Sequence, residues 1–232
     1  MERAYNYVYL FFVAIFFVVI WGFWRTYIVF FPSFKGFGYT HHIHGLLMMI
    51  WISMLIVQPL LIRGKKLSLH SAIGKASYIV VPLLLLSIFM VDKISYDKSI
   101  TTSPQGAIAG IALNIPAIVA FAVLYGLAIL KKKKSRIHMR YMLGTSLLMI
   151  GPGLGRALIV YFNVPFPDAV VYTYYLIMAI AFLLLIADMI QKKPVVPYSI
   201  TFVLMVLVYL AWQFRNGSFW QSIGERYAAI FY

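Results

Sequence analysis

Residues 104–130 read PQGAIAGIALNIPAIVAFAVLYGLAIL and are followed at 131–136 by KKKKSR. The first stretch carries no charged side chain over 27 residues. As a helix rising about 1.5 Å per residue, it is long enough to cross the roughly 30 Å hydrocarbon layer of a bilayer. Its apolar residues run on continuously, without the period-two alternation of a barrel strand, so a helix is the form that satisfies its backbone in lipid. The lysines end it, because ammonium groups do not enter hydrocarbon, and they mark its cytoplasmic side.

Six more apolar stretches flank this one, at about 4–24, 41–62, 71–91, 137–162, 169–190 and 197–213. The chain therefore reads as all-α, a single transmembrane domain over 1–232 built as a polytopic bundle of seven transmembrane helices. The first span lacks a small-residue cleavage site and ends on Trp21, Phe23 and Trp24, which predicts a retained helix rather than a signal peptide. The composition agrees: 63% of the 232 residues are apolar and 11% charged, against about 45–50% and about 25% in soluble domains. Mean hydropathy is +0.89. A water-soluble monomer is excluded, since so small a core cannot hide that much apolar surface.

The net charge of +14 would suggest nucleic acid in a soluble chain. Here its placement points to topology instead, and no nucleic-acid partner is expected. Arg3, Arg63, Lys65, Lys66, Lys75, Lys131 to Lys134, Arg136, Arg140, Lys192 and Lys193 make 13 of the 20 basic residues and fall on alternate connections or beside them. The positive-inside rule then puts the N-terminus in the cytoplasm and the C-terminus outside, in a bacterial inner membrane. Of the acids, Asp92, Asp97, Asp168 and Glu225 fall outside, Glu2 and Asp188 inside. Residues 25–40 carry six aromatics and belong in the headgroup layer. From 218 on, Ser218-x-x-Gln221 reads as a capping box, and Phe219, Ile223, Tyr227 and Ile230 as one face of an outer interfacial helix. Pro82, Pro116 and Pro152 sit mid-span and predict kinks. With no cysteine, the chain has no disulfide, thiolate-held cluster or covalently attached c-type haem.

Polar residues at membrane depth are functional candidates. His41, His42 and His44 open the second span, His70 the third and His138 the fifth, each at a helix N-terminus that keeps imidazole neutral. His44, Met48, Trp51 and Gln58 share one helical face. His70, Gly74, Ser77, Val81 and Ser87 share another. His138 and Arg156, 18 residues apart, fall five turns and about 27 Å apart on one face of a straight helix. Two chemistries follow. His70 and His138, at one depth on two helices, would ligate a haem b, with Gly74 leaving room for the macrocycle and Lys66, Lys75, Arg136 and Arg140 facing its propionates. His41 and His44, with Asp92, Asp97, Asp168 or Glu225, would hold a transition metal. His44, Trp51, Gln58 and Arg156 would line an outer pocket for a quinone head or an anionic substrate. Ordinary bundle packing explains the Ser, Thr and Gly positions equally well. Asp188 would orient an inner histidine or pair with Lys192.

Other seven-span chemistries are excluded. The last span has no lysine for a retinal Schiff base, and no histidine follows His138, as the late histidines of ceramidase-type zinc hydrolases would require. Neither a phosphate loop nor a nucleophile elbow is present.

Gln58-Pro-Leu-Leu-Ile-Arg63, His70-Ser-Ala-Ile-Gly74-Lys75 and Ile137-His138-Met139-Arg140-Tyr141-Met142, with Pro152 and Arg156, resemble a bacterial family of multi-pass membrane proteins of unassigned function. Its pattern is His-x-x-x-Gly, then His-x-x-x-Met, then Arg, and it covers roughly 41–162. The layout is also distantly similar to b561-type cytochromes, which implies haem b and electron transport. No second outer histidine lies on another span, so the resemblance extends to one inner haem. The sequence thus supports a membrane redox protein exchanging electrons with a quinone or a partner protein. It also leaves open an accessory or assembly subunit of a larger membrane complex, and a small-solute transporter using Arg156, Asn114 and Asp188.

Overall fold

The computed structural model describes residues 6–232. Arg3, Glu2 and the start of the first predicted span lie outside the described residues. Within them the chain is helical without strands: α1 (Val8–Trp24), α2 (Tyr39–Arg63), α3 (Leu67–Ser99), α4 (Pro104–Leu130), α5 (Ser135–Leu147), α6 (Ile150–Phe162), α7 (Phe166–Ile190), α8 (Val196–Gln213) and α9 (Ser218–Phe231). Six segments are long and apolar enough to cross a membrane: α2, α3, α4, α5 with α6 as one unit, α7 and α8. The first predicted span is a shorter apolar helix of 17 residues.

The burial pattern is that of helices packed in lipid. Ala112, Ala120, Ala128, Ala157, Ala169 and Ala181 are buried, whereas Phe17, Ile79, Val119, Leu183 and Leu207 face outward and are more than half exposed. Small residues let helix backbones approach, and large apolar ones lose nothing by facing hydrocarbon. The closest approach joins α1 to α6. A Cβ on Gly22 would overlap the Gly153 carbonyl, and one on Gly153 would come within 2.9 Å of the Val19 backbone.

Helix α5 packs among several of the others. It touches α4, α8, α7 and α2, while α1 packs between α2 and α6, and α7 between α6 and α8. Seven of its thirteen residues are buried, Arg140, Thr145 and Ser146 among them. Arg140 is fully buried and grips Asp188 of α7 with two bonds, Nε to Oδ2 at 2.5 Å and Nη2 to Oδ1 at 2.8 Å. A third donor reaches the Arg136 carbonyl at 2.9 Å, and the guanidinium lies over Tyr198 of α8, 5.9 Å from the ring centre. Asp188 is therefore the partner of Arg140 and not of an inner histidine or Lys192.

The predicted span 137–162 is not one straight helix. It breaks at Leu148–Met149, four residues before Pro152. Proline lacks the N–H that would bond the carbonyl of residue 148, and its ring crowds that carbonyl. Thr145 and Ser146 donate back to the carbonyls of Met142 and Leu143 just before the break (2.7 and 2.6 Å), which loosens the turn further. The break carries α6 outward from the centre onto α1. The straight face predicted to link His138 to Arg156 is thus interrupted, while α3 and α4 continue through Pro82 and Pro116.

The basic connections gather at one end. Lys132 bonds Tyr78 near the start of α3, His138 bonds the Ala128 carbonyl at the end of α4, and Arg140 holds Asp188 at the end of α7. The opposite end is aromatic: Trp21 stacks on Tyr161, Phe166 meets Trp212 edge-on, and Tyr27 stacks on Phe34 within the segment 25–40. There α3 runs two turns beyond its predicted end and carries the i,i+4 pair Lys93–Asp97 at 3.0 Å. Helix α9 lies on α4, with Gly224 against Ile108, and leaves Phe219, Ile223 and Ile230 exposed, as an interfacial helix would. The expected capping box does not form. Gln221 donates instead to the carbonyls of Arg215 (2.7 Å) and Gln105 (3.3 Å), tying α9 to its own connection and to α4.

Two outcomes follow in thermal unfolding of detergent-solubilised protein. Asp188→Ala leaves a buried guanidinium without its partner and costs about 3–5 kcal/mol, whereas the double change Arg140→Met with Asp188→Leu costs far less. Gly153→Val forces α1 from α6 and costs about 1–3 kcal/mol, whereas Gly151→Ala, which meets open space, is near neutral.

Candidate functional site

The two polar faces predicted on the second and third spans meet each other. Helices α2 and α3 are joined by the short turn Gly64–Lys66, so they run antiparallel and residues near 44 oppose those near 87. His44 Nδ1 lies 3.1 Å from Ser87 Oγ. That hydroxyl already gives its only hydrogen to the Leu84 carbonyl (2.7 Å), so His44 is the donor and its Nε2 keeps a lone pair. At the basic end, Gln58 Nε2 donates to the His70 carbonyl at 3.2 Å and would stand 3.6 Å from a Cβ on Gly74. Midway, Trp51 is fully buried and meets Phe121 and Tyr125 of α4 edge-on, at 5.6 and 5.8 Å. Tyr125 donates to Ser77 Oγ at 2.7 Å, because Ser77 spends its hydrogen on the Gly74 carbonyl at 2.6 Å.

The result is a polar seam down the α2–α3–α4 interface. Several of its atoms are buried without a partner among the described residues: His41 Nδ1, Trp51 Nε1, Gln58 Oε1 and His70 Nδ1. In hydrocarbon an orphaned donor or acceptor is costly, which marks these positions as places for ordered water or a ligand.

The predicted outer pocket divides in two. Gln58 lies 14 residues from His44, about 21 Å along α2, and belongs with His70 at the basic end. Trp51 sits between them. Arg156 is at the aromatic end, its guanidinium 4.5 Å from the Phe23 ring centre. It acts electrostatically on both His41 and His44. His42 Nδ1 and the Tyr27 hydroxyl share a hydrogen bond at 2.5 Å, and burial raises the phenol's pKa, so it stays protonated. His41 and His44 share a face, as their spacing requires. No group of three His, Asp or Glu able to hold a metal comes together among the described residues. Asp97 is taken by Lys93, and Asp92 accepts from Asn114 and, at 2.6 Å, from Tyr232.

His70 and His138 both lie at the basic end, near the starts of α3 and α5. His138 Nδ1 donates to the Ala128 carbonyl at 2.8 Å, which fixes the tautomer and leaves Nε2 as a lone-pair donor. His138 thus offers an oriented ring with a lone pair on Nε2, and His70 a ring whose Nδ1 has no partner among the described residues, which are the donor types a b-type haem would take. Gln58 is the side chain that a macrocycle over Gly74 would displace. Arg140, expected at a propionate, holds Asp188 instead. Sequence reasoning missed Tyr125 and Tyr232. The signal for Tyr125 was a lone phenol in an otherwise apolar span; for Tyr232 there was none, because its partner Asp92 is 140 residues away.

A helical bundle with six long apolar helices, small residues inside and polar groups confined to its interior seam and its ends is a multi-pass membrane protein. No protein-family model, curated protein or solved structure matches the chain, so that class rests on the fold itself.

Replacing Gln58 tests whether the seam is built for packing or for a ligand. Gln58→Leu removes the orphaned Oε1 together with the Nε2 bond to the His70 carbonyl, so the two effects offset and the ligand-free protein is expected to change by less than about 1 kcal/mol in thermal unfolding, whereas Tyr125→Phe, which only deletes a made bond, lowers it by about 1 kcal/mol.

Proposed function

We propose that the chain is a seven-span protein of the bacterial inner membrane, N-terminus inside, that transfers electrons through a haem b or single redox metal held by His70 and His138. A quinone or a partner protein is the other carrier. The single observation that carries this reading is the ring pair: His138 with Nδ1 tied to the Ala128 carbonyl, beside His70 with Nδ1 buried and unpaired. A neutral imidazole whose other nitrogen is tied to a carbonyl is how proteins orient a metal ligand.

The topology draws on two supports. The 17 residues of α1 meet the lower limit of the roughly 17–25 that a spanning helix needs. The clustering of Arg63, Lys65, Lys66, Lys131 to Lys134, Lys192 and Lys193 at one end makes that end cytoplasmic.

The bound group would supply one-electron chemistry. The chain's own residues do the rest. The Ala128 carbonyl sets the His138 tautomer. Gln58, anchored on the His70 backbone, guards the space over Gly74. The Tyr125–Ser77 pair continues the seam toward the opposite end with its hydrogens already spent, and the Trp51 N–H, without a partner among the described residues, is the donor available to a quinone carbonyl.

A reduced-minus-oxidised visible spectrum with metal analysis on the purified protein tests this. The expected result is a sharp low-spin b-type band, or a stoichiometric redox metal, lost in His70→Ala and in His138→Ala but kept in His44→Ala. A colourless, metal-free sample from haem-replete cells would sink the proposal.

A further inference from the structure

Two arginines at the aromatic end share one helix seam and pair with no acid among the described residues. Arg156 of α6 lays its guanidinium over Phe23 of α1, 4.5 Å from the ring centre. Arg25, one residue past α1, lays its own over Tyr161 of α6 at 4.9 Å. The straps cross the α1–α6 seam in opposite directions, next to the glycine contact between Gly22 and Gly153. Trp21 stacks on Tyr161 at 5.4 Å, and the Tyr161 hydroxyl donates to the Trp21 carbonyl at 3.3 Å, so the ring that carries Arg25 is held. Both arginines are exposed at the surface of the bundle. Among the described residues neither makes an ion pair or hydrogen bond with a carboxylate. Of the acids at this end, Asp97 is spent on Lys93, and Asp168, in the first turn of α7, makes no ion pair with either arginine among the described residues.

Depth and chemistry narrow the missing partner. Arg156 precedes the end of α6 at Phe162 by six residues, about 9 Å along the axis, and so sits just beneath the ring of Trp21, Trp24, Tyr161 and Phe162. Such rings mark the membrane–water interface, and a guanidinium below it without an anion is costly. Stacking covers the guanidinium faces and leaves the N–H edges free, and those edges match phosphate oxygens two by two. A soluble carboxylate would have to leave water to reach this depth, whereas a phospholipid brings its phosphate there on its own acyl chains.

We propose that Arg25 and Arg156 form a clamp for a phosphate-ester anion at the aromatic end of the α1–α6 seam, filled by the phosphate of a bound phospholipid. The clamp stands apart from the redox reading and survives its failure.

The test uses the full chain purified in a mild non-ionic detergent. Native mass spectrometry reads retained phospholipid, and thermal shift is measured with a short-chain phosphatidylglycerol, with inorganic phosphate and with the matching phosphate-free diacylglycerol. Retained lipid and stabilisation by the phosphatidylglycerol alone are expected. Arg25→Gln and Arg156→Gln should each weaken that effect about tenfold, the share of one charge-assisted fork, and Arg156→Lys should retain part of it. Equal stabilisation by inorganic phosphate keeps the clamp and reassigns its occupant to a soluble phosphate. Stabilisation by diacylglycerol equal to that by phosphatidylglycerol overturns the proposal on the wild-type protein alone, whether or not the variants fold. So does a lipid effect unchanged in both glutamine variants.

Discussion

Arg140 and Asp188 are drawn from two helices into a place where nothing else can solvate them. A guanidinium and a carboxylate without water must be met by one another and by backbone groups, or the helices carrying them cannot stay together. The double bond between them, the third donor to the Arg136 carbonyl and the Tyr198 ring bring α5, α7 and α8 to one point. This lets α5, the most polar of the long segments, occupy the centre of the bundle. Its neighbours close on it at its own small residues Gly144, Thr145 and Ser146, and a Cβ on Gly144 would come within 2.7 Å of Thr201 of α8. A straight continuation would have kept the chain central to the opposite face. The break before Pro152 sends α6 to α1 instead and opens the two-glycine contact between them.

Around this centre the protein departs from the soluble pattern on its outside: many large apolar side chains face outward, where hydrocarbon costs them nothing, while the interior mixes large residues such as Trp51, Leu84 and Tyr198 with alanines, glycines and weakly polar groups. Helices held by close approach alone need some polar contacts to set their register. The α2–α3 seam supplies them at both ends, His44 to Ser87 and Gln58 to the His70 backbone. Between them it keeps unpaired atoms that a purely structural interface would have filled with methyl groups, and for that reason function is sought there.

Much of this was legible along the chain. Span positions follow from runs of apolar residues, and the clustering of basic connections follows from where lysine and arginine interrupt them. The faces His44–Met48–Trp51–Gln58 and His70–Gly74–Ser77–Val81–Ser87 were readable from helical periodicity, and they do face one another. What periodicity lacks is the third dimension: it placed Gln58 in one pocket with His44 and Arg156, though antiparallel pairing puts it beside His70. It also drew an unbroken face from His138 to Arg156, because a proline's effect on the carbonyl four residues earlier shows only once the helix is built. Ser218-x-x-Gln221 had the letters of a capping box, yet Gln221 found better acceptors in Arg215 and Gln105, the latter on a helix over a hundred residues away.

By itself the sequence determined the class of solvent. A chain with 63% apolar residues arranged in helix-length runs has no other way to satisfy its backbone and hide its surface than to lie in lipid as helices. It determined also which residues are chemically expensive there. Tertiary structure alone decided how each expense is met: Arg140 by Asp188, Asp92 by Asn114 and Tyr232, His138 by the Ala128 carbonyl, Arg25 and Arg156 by rings across one seam. Those partners are separated by ten to 140 residues. The physical reason is range. Transfer from water to hydrocarbon acts on each residue where it stands, whereas a hydrogen bond or ion pair exists only between atoms that the fold has brought within about 3 Å.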